Sequence, residues 1–167
     1  MKLSTKSKNL EILRNLNLKK SNIPNFISIK VQEWNKNYKI LKKVKFILND
    51  RLSVRSSFYL EDSKNSSMAG EFDSFLDVKN NKKDISYYVE KLIRQYKKKS
   101  RLKHHLLESE IIIQNYIKNS SISGVVTTKC LKDGTDYYVV NYDDQTKNTY
   151  TVTSGNEKST RVLNVFK

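Results

Sequence analysis

The chain has 167 residues, a hydrophobic fraction of 37% and a formal net charge of +15. That suits one domain, or part of a larger one, with apolar residues enough for a core and too many for a disordered chain. No apolar run nears the roughly 20 residues of a membrane helix and no secretory h-region opens the chain, so a cytoplasmic protein without membrane contact is expected.

Cys130 is alone, which excludes an internal disulfide and a cysteine metal cage; a small, partly buried thiol is expected there. The charge at first suggests a polyanionic partner. Only six of the 32 cationic residues are arginine, however, and lysine and asparagine are over-used along the whole chain. That pattern fits an AT-rich codon bias, whereas nucleic-acid surfaces favour arginine for bidentate contacts. Composition therefore argues against nucleic acid as the partner. The run from Lys97 to Lys103 reads as a solvated helix end and loop.

Taken in chain order, Leu10, Leu13, Leu16 and Leu18 suggest a short amphipathic helix over residues 8–18. Pro24 then precedes a strand over 26–29. A second helical pattern covers about 31–46, and Asn49-Asp50 turns the chain into a strand at 51–55. A polar loop tipped by Ser67-Met68-Ala69-Gly70 follows, and Phe72, Phe75 and Leu76 then suggest a helix. Apolar residues from Ile85 to Tyr96 predict a helix over 83–98. Beyond Leu106 the pattern changes to strands, at 111–116, 121–128, 136–142, 149–153 and 161–166, separated by turn signals. The fold class expected is α+β, a mixed first lobe over 1–105 followed by an antiparallel β-rich region over 106–167.

The most informative stretch runs from Val54-Arg55-Ser56-Ser57 through Glu61-Asp62 to Ser67-Met68-Ala69-Gly70. An arginine at a strand end offers a planar fork of donors, and a small-residue loop opening a helix aims free N–H groups at an anion. Both are phosphate-binding parts. Glu61 and Asp62 read equally well as metal ligands or as loop and cap residues.

This run resembles the ATP-binding domain of the phosphoenolpyruvate synthase and pyruvate phosphate dikinase family, where a VRSS-type strand end, an ED pair and an SxAG or SMPG loop recur in this order. Further stretches are similar in family order. Lys6-Ser7-Lys8-Asn9-Leu10 looks like K-G-x-N-L, and Ile23-Pro24-Asn25-Phe26 like VPxGF. Ile111-Ile112-Ile113-Gln114-Asn115 resembles V-x-V-Q-E, and Ser123-Gly124-Val125-Val126-Thr127 resembles SGVxFT. Residues 137–144 and 151–155 look like a branch carrying YYVINYDD and VTSG.

The resemblance implies a partial ATP-grasp-like domain using ATP and Mg²⁺, with Lys6 and Arg55 on phosphate oxygens, Ser67, Met68, Ala69 and Gly70 over the triphosphate, and Gln114 at the adenine edge. No catalytic residue is assigned and the metal ligands are left open. Three departures weaken the match: Asn115 for glutamate, Lys129 for an arginine, and Ser7 for a glycine. The family's DIEW and Q-x-R segments, its TSHA phospho-histidine and its acceptor domain have no counterpart in these residues. His104 and His105 read as ordinary surface histidines, and Asp143-Asp144 as a hairpin turn more readily than a metal site.

The leading expectation is therefore the nucleotide-binding portion of a dikinase-like phosphotransferase, truncated or paired with a separately encoded C-terminal part, and inactive alone. The alternative is a basic, non-catalytic protein that contacts nucleic acid or a protein partner.

Overall fold

The computed structural model describes residues 5–16, 18–34, 39–59, 62–63, 66–67, 71–100, 102–147, 149–152 and 160–167. They form two compact units, Met1–Tyr116 and Ile117–Lys167. The fold is α+β with antiparallel sheets, as the sequence leads one to expect. Among the described residues no helix is long and apolar enough to cross a membrane.

In the first unit the order is α1 (Lys6–Asn15), β1 (Phe26–Lys30), α2 (Val31–Trp34), α3 (Lys39–Ile47), β2 (Arg51–Ser57), β3 (Asp62–Ser63), β4 (Ser66–Ser67), β5 (Ser74–Lys79), α4 (Lys82–Lys99), α5 (Lys103–Glu108) and β6 (Glu110–Asn115). The main sheet runs β1-β6-β2-β5, so the last strand in sequence enters between two of the first. That insertion keeps β6 in the first unit, so the units divide after Tyr116, whereas the sequence reading begins the second region at 106.

Side chains alternate between sheet faces, and the register assigns them. Val54 lies opposite Ile113 and Ser56 opposite Ile111, while Ile113 and Ile111 face Ile27 and Ile29 of β1. On this face Ile29, Leu52, Val54, Ile111 and Ile113 are buried with Val44 of α3 and Ile85, Val89, Leu92, Ile93 and Tyr96 of α4 in one cluster. Helix α4 forms because its apolar residues recur at helical spacing. Asn81 caps it, its side-chain oxygen accepting the Asp84 N–H at 2.8 Å. Asp84 in the first turn and Lys97, Lys98 and Lys99 in the last complement the helix dipole.

Four stretches depart from the sequence reading. Phe75 and Leu76, read as part of a helix, lie in strand β5, and Phe72 just precedes it. The register shifts between Leu52↔Val78 and Val54↔Phe75, and Asp77 adopts φ 55°. This bulge inserts a residue, so Phe75 and Val78, three apart, reach the same core and the simple alternation of a strand is broken. The pattern at 31–46 is two helices, α2 and α3, with 35–38 outside the described residues. The 103–108 stretch is the short helix α5, and residues 149–152 form turns and bends where a strand is expected.

The second unit is an antiparallel sheet of β7 (Ser123–Thr127), β8 (Tyr137–Asp143) and β9 (Arg161–Phe166) in that order. Gly124 is needed there, because a Cβ would meet the Asn141 carbonyl oxygen at 2.6 Å. Val126, Val140 and Leu163 stand opposite one another across the three strands. Two carboxylates organise its turns. Asp133 accepts the Thr135 hydroxyl at 2.7 Å and the Thr135 N–H at 3.0 Å, which lowers its pKa from 3.8 to about 2. Asp143 accepts the Thr146 hydroxyl and the N–H groups of Thr146 and Gln145, and its pKa is likewise depressed. Asp143 is therefore a turn-forming residue, in line with the hairpin reading of that stretch.

A depressed carboxylate stabilises the fold above its unfolded pKa and loses that contribution as pH falls through the folded one. Asp133→Asn should therefore lower the melting temperature of the second unit at pH 7, and the gap to the unmodified chain should close as pH falls from 3.8 toward about 2. Melting curves at pH 7 and pH 2 check this; an equal gap at both would count against the turn assignment.

Candidate functional site

The sheet face opposite the core cluster carries different chemistry. By the register, Ser53, Arg55 and Ser57 of β2, Glu110, Ile112 and Gln114 of β6, and Phe26, Ser28 and Lys30 of β1 share it. Helix α1 lies against this face. Its Arg14 guanidinium sits 4.6 Å from the centre of the Phe26 ring, and its first turn is bound at the other end of the strands.

That binding is a buried polar knot. The Ser7 N–H donates to Ser57 Oγ at 3.1 Å, Ser57 Oγ donates to Ser7 Oγ at 3.2 Å, and the Ser7 hydroxyl donates to Glu110 Oε2. Thr5 Oγ1 donates to the same carboxylate oxygen at 3.3 Å. Tyr96 reaches the same strand ends from the core: its hydroxyl accepts the Ser57 N–H at 2.9 Å and donates to the Glu110 carbonyl at 2.8 Å. Ser7, Ser57 and Tyr96 are all fully buried. Unpaired polar groups in such a place would be costly, so the geometry is tightly specified.

The knot positions two of the residues that sequence assigns to phosphate. Lys6 stands between Thr5 and Ser7 and is half-buried at the start of α1. Arg55 precedes Ser57 by two residues on the same face, with an exposed side chain. One helix start and one strand thus bring two cations to the same end of one sheet face. Ser7 occupies the position where glycine is expected. Its N–H is taken by Ser57 and its hydroxyl by Glu110, so this backbone does not offer a free donor there.

Gln114 is placed differently. It lies about 8 Å from Arg55 between Cα atoms, one strand across and two residues along. Its side chain is 7% exposed, and its amide donates to the Pro24 carbonyl at 3.3 Å. It holds the approach to β1 over the sheet and presents little surface. Asn115 is also occupied structurally, since its side-chain oxygen accepts the Asn49 N–H at 2.8 Å.

Of the loop, Met68, Ala69 and Gly70 lie outside the described residues, and Ser67 pairs in β4 opposite Asp62. Strand β5 follows, not a helix, so the expected helix start behind this loop is absent among the described residues.

The neighbouring charges are ordered. Lys30 Nζ bonds Glu108 Oε2 at 2.7 Å, which raises the lysine pKa and lowers that of Glu108. His105 stacks on Tyr59 with centroids 5.0 Å apart, and His104 meets His105 at 4.1 Å. These histidines belong to an aromatic cluster at the exit of β2. Among the described residues no group of three or more histidine, cysteine or acidic side chains could hold a metal ion.

The residues that sequence reasoning missed are Ser7 as a bonding group, Ser57, Glu110 and Tyr96. A tyrosine at a helical core position needs a partner for its hydroxyl, which is a readable signal for Tyr96. The identity of that partner is not readable, because it lies on strands distant in sequence.

A family described as pyruvate phosphate dikinase, AMP/ATP-binding domain, matches residues 5–144. The match takes in α1, the main sheet, the loop at 67–70 and strands β7 and β8. No curated protein matches the chain.

Tyr96→Phe keeps the ring packed against Phe58 and edge-to-face with Phe72, with centroids 5.1 Å from each, and removes only the hydroxyl. It leaves the buried Ser57 N–H without its acceptor, so a loss of about 1–3 kcal/mol in unfolding free energy is expected. Denaturant titration of the two proteins measures it.

Proposed function

This chain belongs to the family of the pyruvate phosphate dikinase AMP/ATP-binding domain, and from that premise we propose that it binds ATP with Mg²⁺ on the face of the sheet that α1 covers. Lys6 and Arg55 are the phosphate-binding cations in this reading, the loop of Ser67, Met68, Ala69 and Gly70 closes over the triphosphate, and Gln114 supports the adenine side. The observation that carries the proposal is the gathering of Lys6 and Arg55 at one end of one sheet face by the Ser7–Ser57–Glu110 knot.

The physical case is electrostatic. A triphosphate bears close to four negative charges, which two cations and a divalent metal offset, and preorganised donors act on it without reorganising. The arginine supplies a planar fork and the lysine a point charge. Because Gln114 is buried against Pro24, its contribution is to fix the wall at the adenine side through position more than by free hydrogen bonds. Magnesium, held by the phosphates with few protein ligands, neutralises the rest of the charge.

The wider activity in this reading is that of a dikinase-like phosphotransferase, with this chain as its nucleotide-binding portion and a separately encoded part as its partner. Phosphoryl transfer relies on an acceptor group placed in line with the γ- or β-phosphate. His104 and His105, stacked on Tyr59 in a short helix, are not assigned that role.

Calorimetry with Mg-ATP tests the site. Arg55→Ala should weaken binding by about 1.5–3 kcal/mol, the range of a hydrogen bond to a charged group. Undiminished binding by the variant would refute the assignment. In the same samples, β- or γ-labelled ATP should leave the chain unlabelled; label that disappears in His105→Ala would show a histidine acceptor after all.

A further inference from the structure

Helices α3 and α4 pack on the core face of the main sheet, so their outer surfaces point away from the face that carries Lys6 and Arg55. Helix α3 bears four lysines and no acid. Helix α4 bears seven cations against Asp84 and Glu90. The two helices together therefore hold nine of the chain's fifteen net positive charges in 27 residues. A codon bias that scatters lysine evenly does not produce this concentration.

The outer side of α4 forms a groove of about 360 Å³ lined by Tyr87, Lys91, Arg94, Gln95 and Lys98. Lys91, Arg94 and Lys98 recur once per turn, about 5 Å apart along the axis. The Tyr87 ring is 56% exposed and buttressed edge-to-face by Tyr88 at 5.1 Å. On α3, on the same side of the sheet, Phe46 is 91% exposed beside Lys42, Lys43 and Lys45.

The internal partners of the groove are modest. Lys91 Nζ stands 3.7 Å from Asp73 and over the Phe75 ring, and Gln95 donates to Asp73 at 2.8 Å. Arg94 bonds the Glu90 carbonyl of its own helix, at 3.3 Å. Exposed pairs of this kind contribute little and yield readily to a multivalent anion.

We propose that this helical surface binds the phosphate backbone of single-stranded nucleic acid, with Tyr87 stacking on a base in the α4 groove. A regular row of cations tracks a backbone, and a solvent-facing ring beside it supplies sequence-tolerant stacking. A lipid surface is the poorer fit, since the apolar faces of both helices are buried in the core and Phe46 and Ile47 alone remain as anchors on α3. The site is separate from the proposed nucleotide face, so either assignment can fail without the other.

Fluorescence anisotropy with labelled 15-mers of oligo-dT and oligo-U, on the full chain between 50 and 300 mM salt, tests the proposal. Three neutralised phosphates predict a slope of log affinity against log salt of about −2, at roughly 0.7 per phosphate. Arg94→Glu with Lys98→Glu should reduce affinity at least tenfold, and Tyr87→Ala several-fold with the slope unchanged. Arg94→Gln with Lys98→Gln, a milder pair, keeps the test available should charge reversal disturb α4, and circular dichroism monitors the helix. Binding of either oligonucleotide with these dependences supports the proposal, and the tighter of the two identifies the sugar preference. Affinity unaffected by the paired substitutions, or polyglutamate or anionic vesicles bound as tightly as the oligonucleotides, overturns it.

Discussion

The insertion of β6 between β1 and β2 governs the first unit. Its hydrogen bonds join the N-terminal strand to the Arg55 strand, and its alternation assigns every neighbour to one face or the other. Ile111 and Ile113 turn to the core, while Glu110, Ile112 and Gln114 turn to the face under α1. A slip of one residue would bury Glu110 and Gln114 in the apolar cluster and expose the isoleucines. The burial of Ile111 and Ile113 against α3 and α4 therefore fixes the chemistry of the opposite face as well.

Tyr96 links the two faces. Its ring belongs to the core, against Phe58 and Phe72, and its hydroxyl ties β2 to β6 where α1 begins. Packing of α4 is thereby coupled to the placement of Ser57 and Glu110, and through Ser7 to that of Lys6. Loss of the hydroxyl would act on the fold first and on the proposed nucleotide face second. Buried polar networks of this kind specify one arrangement because a half-satisfied version is worse than none.

The two outer surfaces of the first unit differ in how their cations are held. Lys6 and Arg55 come from separate elements that the knot joins, an arrangement that would suit a compact ligand with concentrated charge. The cations of α4 follow one another along a single helix, which suits an extended polymer. Charge of the same sign thus reads differently according to the backbone that carries it. The net charge of +15 does not distinguish these cases.

The sequence alone determined the class of fold, most of the elements and the family, because periodicity and ordered motifs are local properties. Helix α4 and strands β1, β2, β6, β7, β8 and β9 lie close to where their patterns place them. The family stretch around Arg55 was legible for the same reason, since a VRSS-type strand end and its following loop are contiguous. Tertiary structure decided the rest. Phe75 and Leu76, read as helical, lie in a strand whose alternation a bulge near Asp77 resets, and a bulge exists only against a partner strand. The boundary after Tyr116 depends on β6 pairing with strands more than fifty residues away in sequence, which its charged approach does not reveal. Ser7, Ser57, Glu110 and Tyr96 form one knot from four distant segments, and no spacing rule connects them. Residues on one element can be read from their own neighbours; residues that meet across elements are known only once the register is.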